Sequence, residues 1–339
     1  MLRKLIIGFL LIITSPLMGL EFPLCVYGIS DLKWVPEVKK AGFTCFQSYQ
    51  KDPDTLSALA KQASKYGLKT VFLPDQVIGS AKENEAKSWP MLAWYLVDEP
   101  DVHKWSRERV RQAHQRSKTA FPNQLTTLVI GQGRTLIPYY DLPDVMMVDW
   151  YPVPHLALTS FGDNVRYTLE GMEKHNSPYP RKLWGVVQIF DWKDYKQHRP
   201  DNDRIGRFPT EEEIRFMSYD GILNGATGLF YFIFTAQNKP MFSFQPDNWK
   251  RVTRVIKELE ELLPILENGI IVENPLAISR PLVMQSRAYK GYIYMILLNA
   301  SDQPQQIPPA LLEKYYQKMF EKKKEKTIPP YGVWVLKYS

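Results

Sequence analysis

Two adjacent acids, Asp98 and Glu99, close the apolar and aromatic run Leu92–Val97, and Pro100 follows at once. A proline gives no donor to a strand ladder, so the run ends where the acids begin. Paired carboxylates at the end of a buried strand are costly unless they are partnered or open onto a site. Their natural chemistry is general acid and base catalysis, one carboxyl giving a proton and another taking one. Similar groups end other apolar runs. Asp75 follows Leu73-Pro74, Asp149-Trp150-Tyr151 follows Val145–Val148, Gln188 and Asp191-Trp192 surround Ile189-Phe190, and Tyr231 and Phe234 close the run from Gly225.

These groups meet only if the runs share one frame. The strand candidates are Phe22–Ser30, Phe43–Gln50, Lys69–Val77, Leu92–Val97, Gln124–Gly131, Val145–Tyr151, Leu183–Phe190 and Gly225–Phe234. Each is nearly continuous in apolar residues, as strands buried on both faces are. Helical spacing intervenes: Leu56, Leu59, Ala60, Ala63 and Tyr66 recur at three- and four-residue intervals before a stop at Gly67,. Thr210 and Glu213 stand at capping-box spacing ahead of Ile214, Met217 and Ile222,. Eight strands with eight intervening or following helices predict an α/β fold, a (β/α)8 barrel. An open doubly wound sheet would bring a glycine-rich first turn, which Gly28-Ile29-Ser30-Asp31 is not,. After residue 268 the texture changes to Pro281–Met284, Tyr292–Asn299 and Val333–Tyr338, a small β-rich domain,. The expected organisation is a leader over residues 1–20, the barrel over 21–268 and the β-rich domain over 269–339.

The rest of the chain bounds the setting. Arg3 and Lys4, the apolar run Leu5–Ile13 and the small residues through Gly19 have the pattern of a secretory leader, too short to span a bilayer comfortably,. An uncleaved anchor is the alternative reading. Phe22-Pro23-Leu24 before Cys25 is no lipid-attachment motif. The mature chain is expected to start near Gly19–Phe22, outside the cytoplasm, with no stable membrane insertion. Two of the seven net positive charges belong to the leader, and much of the remainder sits in Lys314–Lys326, read as a solvated face rather than a nucleic-acid patch,. Cys25 and Cys45 fall at similar depth in neighbouring strands and read as buried thiols rather than a bridge,. The five histidines show no metal-ligand spacing, so neither a metal nor a cofactor is expected,. The oligomeric state is not readable.

In a barrel of this type the active site lies at the C-terminal strand ends, so one rim gathers acids, amides and aromatic rings. Flat rings cover the apolar faces of pyranoses while acids and amides bond the hydroxyls, which suits a carbohydrate. Trp94-Tyr95-Leu96-Val97-Asp98-Glu99-Pro100 resembles the fourth-strand motif of TIM-barrel glycoside hydrolases of the large retaining superfamily. The turn Asp149–Pro152 and the stretches Arg207–Thr210 and Gly225–Tyr231 are similar to barrel proteins described as glycosidase-like. The resemblance covers nearly all of the mature chain, on short motifs. It implies Glu99 as general acid, with Asp98 beside it raising its pKa by like-charge repulsion. The sequence departs from the superfamily in having Asp98 where Asn is usual. It also has Gln188 where the strand-seven nucleophilic Glu is expected. Asp191 or Asp149 then remains for the second carboxylate, as nucleophile or as base for a water. Asp98, Gln188, Tyr151, Trp150, Trp192, Tyr231 and Asp75 are the expected sugar contacts. Two other readings stand beside a hydrolase of poly- or oligosaccharides: a barrel that binds polysaccharide without cleaving it, and a lyase or esterase of modified sugars.

Overall fold

In a computed structural model of the protein, which describes residues 21–133, 138–175, 182–194, 206–312, 316–320 and 326–338, eight parallel strands close a barrel. They are β1 (Leu24–Val26), β2 (Cys45–Gln47), β3 (Lys69–Phe72), β4 (Met91–Asp98), β5 (Thr126–Ile130), β6 (Val145–Asp149), β7 (Leu183–Gln188) and β8 (Leu229–Phe232). The expected leader, residues 1–20, and most of the Lys314–Lys326 run lie outside the described residues. Among those residues no helix is long and apolar enough to cross a membrane.

The helices are α1 (Val35–Lys40), α2 (Pro53–Lys65), the single turn α3 (Glu83–Ala86), α4 (Arg107–Ala120), α5 (Ser160–Lys174), α6 (Glu211–Leu223), the single turn α7 (Met241–Phe244) and α8 (Pro246–Asn268). Local sequence sets their ends. Asp52 and Ser106 accept from Thr55 N and Arg109 N to cap α2 and α4, and Thr210 and Glu213 form the expected capping box of α6; each such cap contributes about 1 kcal/mol. Among the described residues no helix lies between β5 and β6; residues 138–144 form turns and bends in which Tyr139 and Tyr140 are buried. Pro138 and Pro143 bracket those tyrosines and disfavour a continuous helix,.

Alternation along each strand sorts the core into two layers. Cys25, Tyr27, Cys45, Val71, Ala93, Tyr95, Val129, Met147, Val186 and Phe230 fill the barrel interior. Leu24, Val26, Phe46, Phe72, Trp94, Leu128, Val148 and Leu229 pack outward on the helices. Cys25 and Cys45 are direct partners in the β1–β2 register, both inward, with Cα atoms 4.5 Å apart, and they form a disulfide. The expectation of free thiols is corrected by that register. Two inward cysteines facing each other on hydrogen-bonded strands fall within bridging range.

Beyond α8 a five-stranded antiparallel sheet forms in the order β11 (Ile270–Val272), β12 (Leu282–Tyr289), β13 (Tyr292–Asn299), β17 (Val333–Tyr338), β15 (Tyr316–Lys318). The short pairs β9 (Thr235–Ala236) with β10 (Lys239–Pro240) and β14 (Gln305–Gln306) with β16 (Thr327–Ile328) complete the strands. One sheet face, with Ile296, Leu298, Val333 and Val335, joins the outer barrel core. Arg215 on α6 ties the two parts, pairing with Glu258 of α8 at 2.9 Å and donating to Val333 O at 2.6 Å.

Candidate active site

The fourth strand carries an irregularity that decides where its acids point. Trp94 and Tyr95 pair with Thr126 and Thr127, but Asp98 pairs with Val129, so β4 spends three residues where β5 spends two. This is a β-bulge, a device that re-aims side chains beside functional sites. Unbroken alternation from the inward Tyr95 would send Val97 inward and Asp98 outward. Instead Leu96 and Val97 both pack outward, and the Tyr95 hydroxyl donates to Asp98 Oδ1 at 2.6 Å. Asp98 is thereby turned to the barrel mouth, where it is solvent-exposed.

Glu99 follows with a left-handed φ of 40°, a costly conformation for a residue with a Cβ. Its N–H donates to Val129 O at 3.1 Å and its carbonyl accepts from His103 N at 3.0 Å, which hold the turn. The side chain then passes over the end of β5. A Cβ built on Gly131 would stand 3.0 Å from Glu99 Oε1 and 2.8 Å from Val102 Cγ2. Asp101 fixes that backbone, accepting from Gly131 N at 3.1 Å and Gln132 N at 3.0 Å.

Across the mouth Asp149 ends β6, 7 % exposed. Its Oδ2 accepts from the Tyr151 hydroxyl at 3.1 Å, and its carboxyl makes a side-chain hydrogen bond with Glu99. Asp149 Oδ1 is buried and no protein donor reaches it. Burial, then the charge of Asp98, raises the Glu99 pKa, against the lowering by the Asp149 hydrogen bond. Burial, then Glu99 and Asp98, pushes Asp149 well above the ordinary carboxylate range. Asp98 is also raised, chiefly because the protein around its exposed edge partly desolvates the carboxyl, with the Tyr95 hydrogen bond opposing.

The opposite half of the rim is aromatic. Tyr49 stacks on Tyr27 at 6.1 Å, Tyr27 meets Phe232 edge-on at 5.5 Å, and Phe232 stacks on Tyr151 at 5.7 Å. Tyr151 then meets Phe190 at 5.0 Å and Trp192 at 6.2 Å. Tyr49 remains 37 % exposed, although burial raises its pKa well above 10.0. Gln47, inward on β2, has a buried amide nitrogen with no acceptor.

The structure thus brings together Asp98, Glu99, Asp149, Tyr151 and Trp192. It directs the other expected site residues elsewhere. Gln188 is fully buried and acts on backbone, accepting from Val153 N and donating to Val153 O, both at 2.9 Å. Asp191 accepts from Lys193 N at 2.9 Å within its own turn, and the charges acting on Glu99 and Asp149 come from other acids. Trp150 alternates outward and donates to Ser160 Oγ at 2.9 Å. Tyr231 is also outward, bonded to Ser218 Oγ at 2.9 Å, because Phe230 and Phe232 hold the inward positions of β8. Asp75 pairs with Arg116 of α4 at 3.1 Å. Sequence reasoning missed Tyr27, Gln47, Tyr49, Tyr95, Asp101, Phe190 and Phe232. With Cys25 and Cys45 known to face inward, a period-two count places the first three inward as well,.

Carboxyls and rings thus face each other at the C-terminal mouth of a closed parallel barrel. No protein-family model matches the chain, and none of the curated proteins matches it. Solved structures do. A protein described as a glycoside hydrolase superposes with a TM-score of 0.61 at 12 % identity, covering 94 % of this chain and 88 % of that one. A family 5 glycoside hydrolase from Bacteroides vulgatus gives 0.60 at 12 % identity over 93 % and 88 %. The α-amylase of Geobacillus thermoleovorans, complexed with acarbose, gives 0.56 at 12 % identity over 94 % and 98 %. The shared feature at these identities is the fold: the chain is a (β/α)8 barrel of the kind these glycoside hydrolases have, followed by a β-rich region.

Proposed function

We propose that the protein is a glycoside hydrolase of poly- or oligosaccharides with Glu99 as its general acid. The observation that carries this is the buried contact between Glu99 and Asp149, opposite an aromatic wall at the mouth of the barrel. A proton donor for acetal cleavage must keep its proton to a higher pH than a free glutamate does. Burial and the Asp98 charge act on Glu99 in that direction. Asp149 serves as the partner that shares the proton and, fixed by Tyr151, orients it. The rings of Tyr27, Tyr49, Tyr151 and Phe232 offer apolar faces to a sugar. Two solved structures of this fold are an α-amylase complexed with acarbose and AmyP in complex with maltose. The protein works outside the cytoplasm after loss of its leader; the Cys25–Cys45 disulfide supports an oxidising compartment,.

A second reading, a barrel that binds glycans without cleaving them, is favoured by Gln188, whose amide is committed to the backbone where the superfamily has a nucleophile. Glu99→Gln tests both. On a panel of oligosaccharides and aryl glycosides, hydrolysis by the native chain that the variant loses, with binding retained, supports the hydrolase. Binding without hydrolysis by the native chain supports the second reading, and equal hydrolysis by both chains removes Glu99 from the reaction.

A further inference from the structure

Glycosidic cleavage needs a second carboxylate, one that touches the water or the anomeric carbon. Each acid near Glu99 can be asked whether it has a free oxygen and access to solvent. Asp149 lacks the access: it is 7 % exposed, one oxygen accepts from Tyr151 and the other is buried. Asp101 spends both oxygens on Gly131 N and Gln132 N. Asp191 caps its own turn. Asp98 differs from all three. It is exposed at the mouth, Tyr95 anchors Oδ1 at 2.6 Å, and no hydrogen bond within the described residues occupies Oδ2. Its direction also diverges from that of Glu99. The bulge turns Asp98 toward the barrel axis, whereas the left-handed backbone swings Glu99 over Gly131.

Resting on the hydrolase reading, we infer that Asp98 is the second carboxylate, acting through Oδ2 as the base for the attacking water. The water oxygen bonds to the anomeric carbon as one of its protons passes to Asp98. The anomeric carbon–oxygen bond breaks, and its electron pair stays on the glycosidic oxygen, which takes the proton of Glu99. Glu99 is left ionised and Asp98 protonated, and exchange with solvent restores both. The sugar is released with inverted configuration. Tyr95 acts as the positioning residue that keeps Asp98 aimed.

The test compares the native chain, Asp98→Asn and Glu99→Gln on dinitrophenyl glycosides and on the corresponding unactivated oligosaccharides, with the anomer of the first product read by proton NMR. A base is needed whatever the leaving group, so Asp98→Asn is expected to lose about three orders of magnitude on both substrates. Glu99→Gln is expected to lose activity on the oligosaccharide and keep most of it on the dinitrophenyl glycoside, whose leaving group needs no proton. If Asp98→Asn unfolds, Asp98→Ser with added azide gives the same information. Azide requires no base, and its addition restores turnover. Activity of Asp98→Asn within tenfold of the native chain, or a product of retained configuration, overturns the inference while leaving the hydrolase reading intact. A native chain that cleaves no glycoside overturns that reading first.

Discussion

Glu99 Oε1 lies where a side chain on Gly131 would have to go: a Cβ at that position stands only 3.0 Å away. The acid of one strand therefore owes its placement to the missing side chain of the next. Gly131→Ala is expected to displace the Glu99 carboxyl and lower kcat by about a hundredfold, since a shift near 1 Å at a reacting group costs that much. The thermal midpoint is expected to change little, because Val102, the other near contact, is exposed and can yield. Steady-state kinetics on a cleaved glycoside, with a melting curve for each chain, checks both halves.

Placing a glutamate at position 188, where the sequence motifs resemble a superfamily with a strand-seven nucleophile, is expected to harm the protein. Gln188→Glu keeps an acceptor for Val153 N but loses the donations to Val153 O and Phe190 O, setting a buried charge against two carbonyls. The expected cost is about 3–5 kcal/mol, read by denaturant unfolding, with no gain in turnover. A faster enzyme would mean that position 188 reaches substrate.

Much of the fold was legible in the sequence. Apolar runs buried on both faces announced the eight strands, and the ends of β4 and β6 supplied Asp98, Glu99, Asp149 and Tyr151 as expected. Runs of that kind carry no polar alternation, so their parity cannot be read. That is why Tyr231 and Trp150 were expected at the rim and face the helices. The extra residue in β4 leaves no mark in Leu96-Val97, two ordinary apolar residues. Gln188 was read by its type as a sugar contact, but its chemistry is taken up by Val153 in the loop after β6, a partnership visible only in three dimensions.

Asp220 predicts a pH dependence of stability away from the mouth. It sits on α6 and accepts from Gly162 N at 2.9 Å, serving the start of α5 where Thr159 makes no side-chain cap. Burial pushes its pKa up from 3.8 to about 8. The folded state therefore holds the proton more tightly than the unfolded chain. The stabilisation is fully present below the unfolded value of 3.8 and is lost as pH rises through about 8,. Asp220→Asn removes the titration, so the native chain is expected to lose several degrees relative to the variant between about pH 5 and about pH 8. Melting midpoints of both chains across that range that stay parallel would contradict this.

Joining Cys25 to Cys45, 20 residues apart in sequence, is expected to contribute about 3 kcal/mol by restricting the unfolded chain. Thiol counting by mass spectrometry before and after reduction in denaturant checks the bond. The Cys25→Ala, Cys45→Ala chain should unfold at a correspondingly lower denaturant concentration.

The irregular step of β4 makes the barrel mouth a matter of odd and even. Every strand presents alternate residues to the interior, and a single uncounted residue between Tyr95 and Asp98 changes which of two neighbouring acids faces the axis. Loss of one residue from Leu96-Val97 would remove the bulge and keep Asp98 on the inward parity of Tyr95, whereas a strand of unchanged length without the bulge would turn Asp98 outward and Glu99 inward,. The site is thus written in a count as much as in residue identities. A relative carrying Asp-Glu-Pro after a fourth strand of the same length but without the bulge would present a different acid to its ligand.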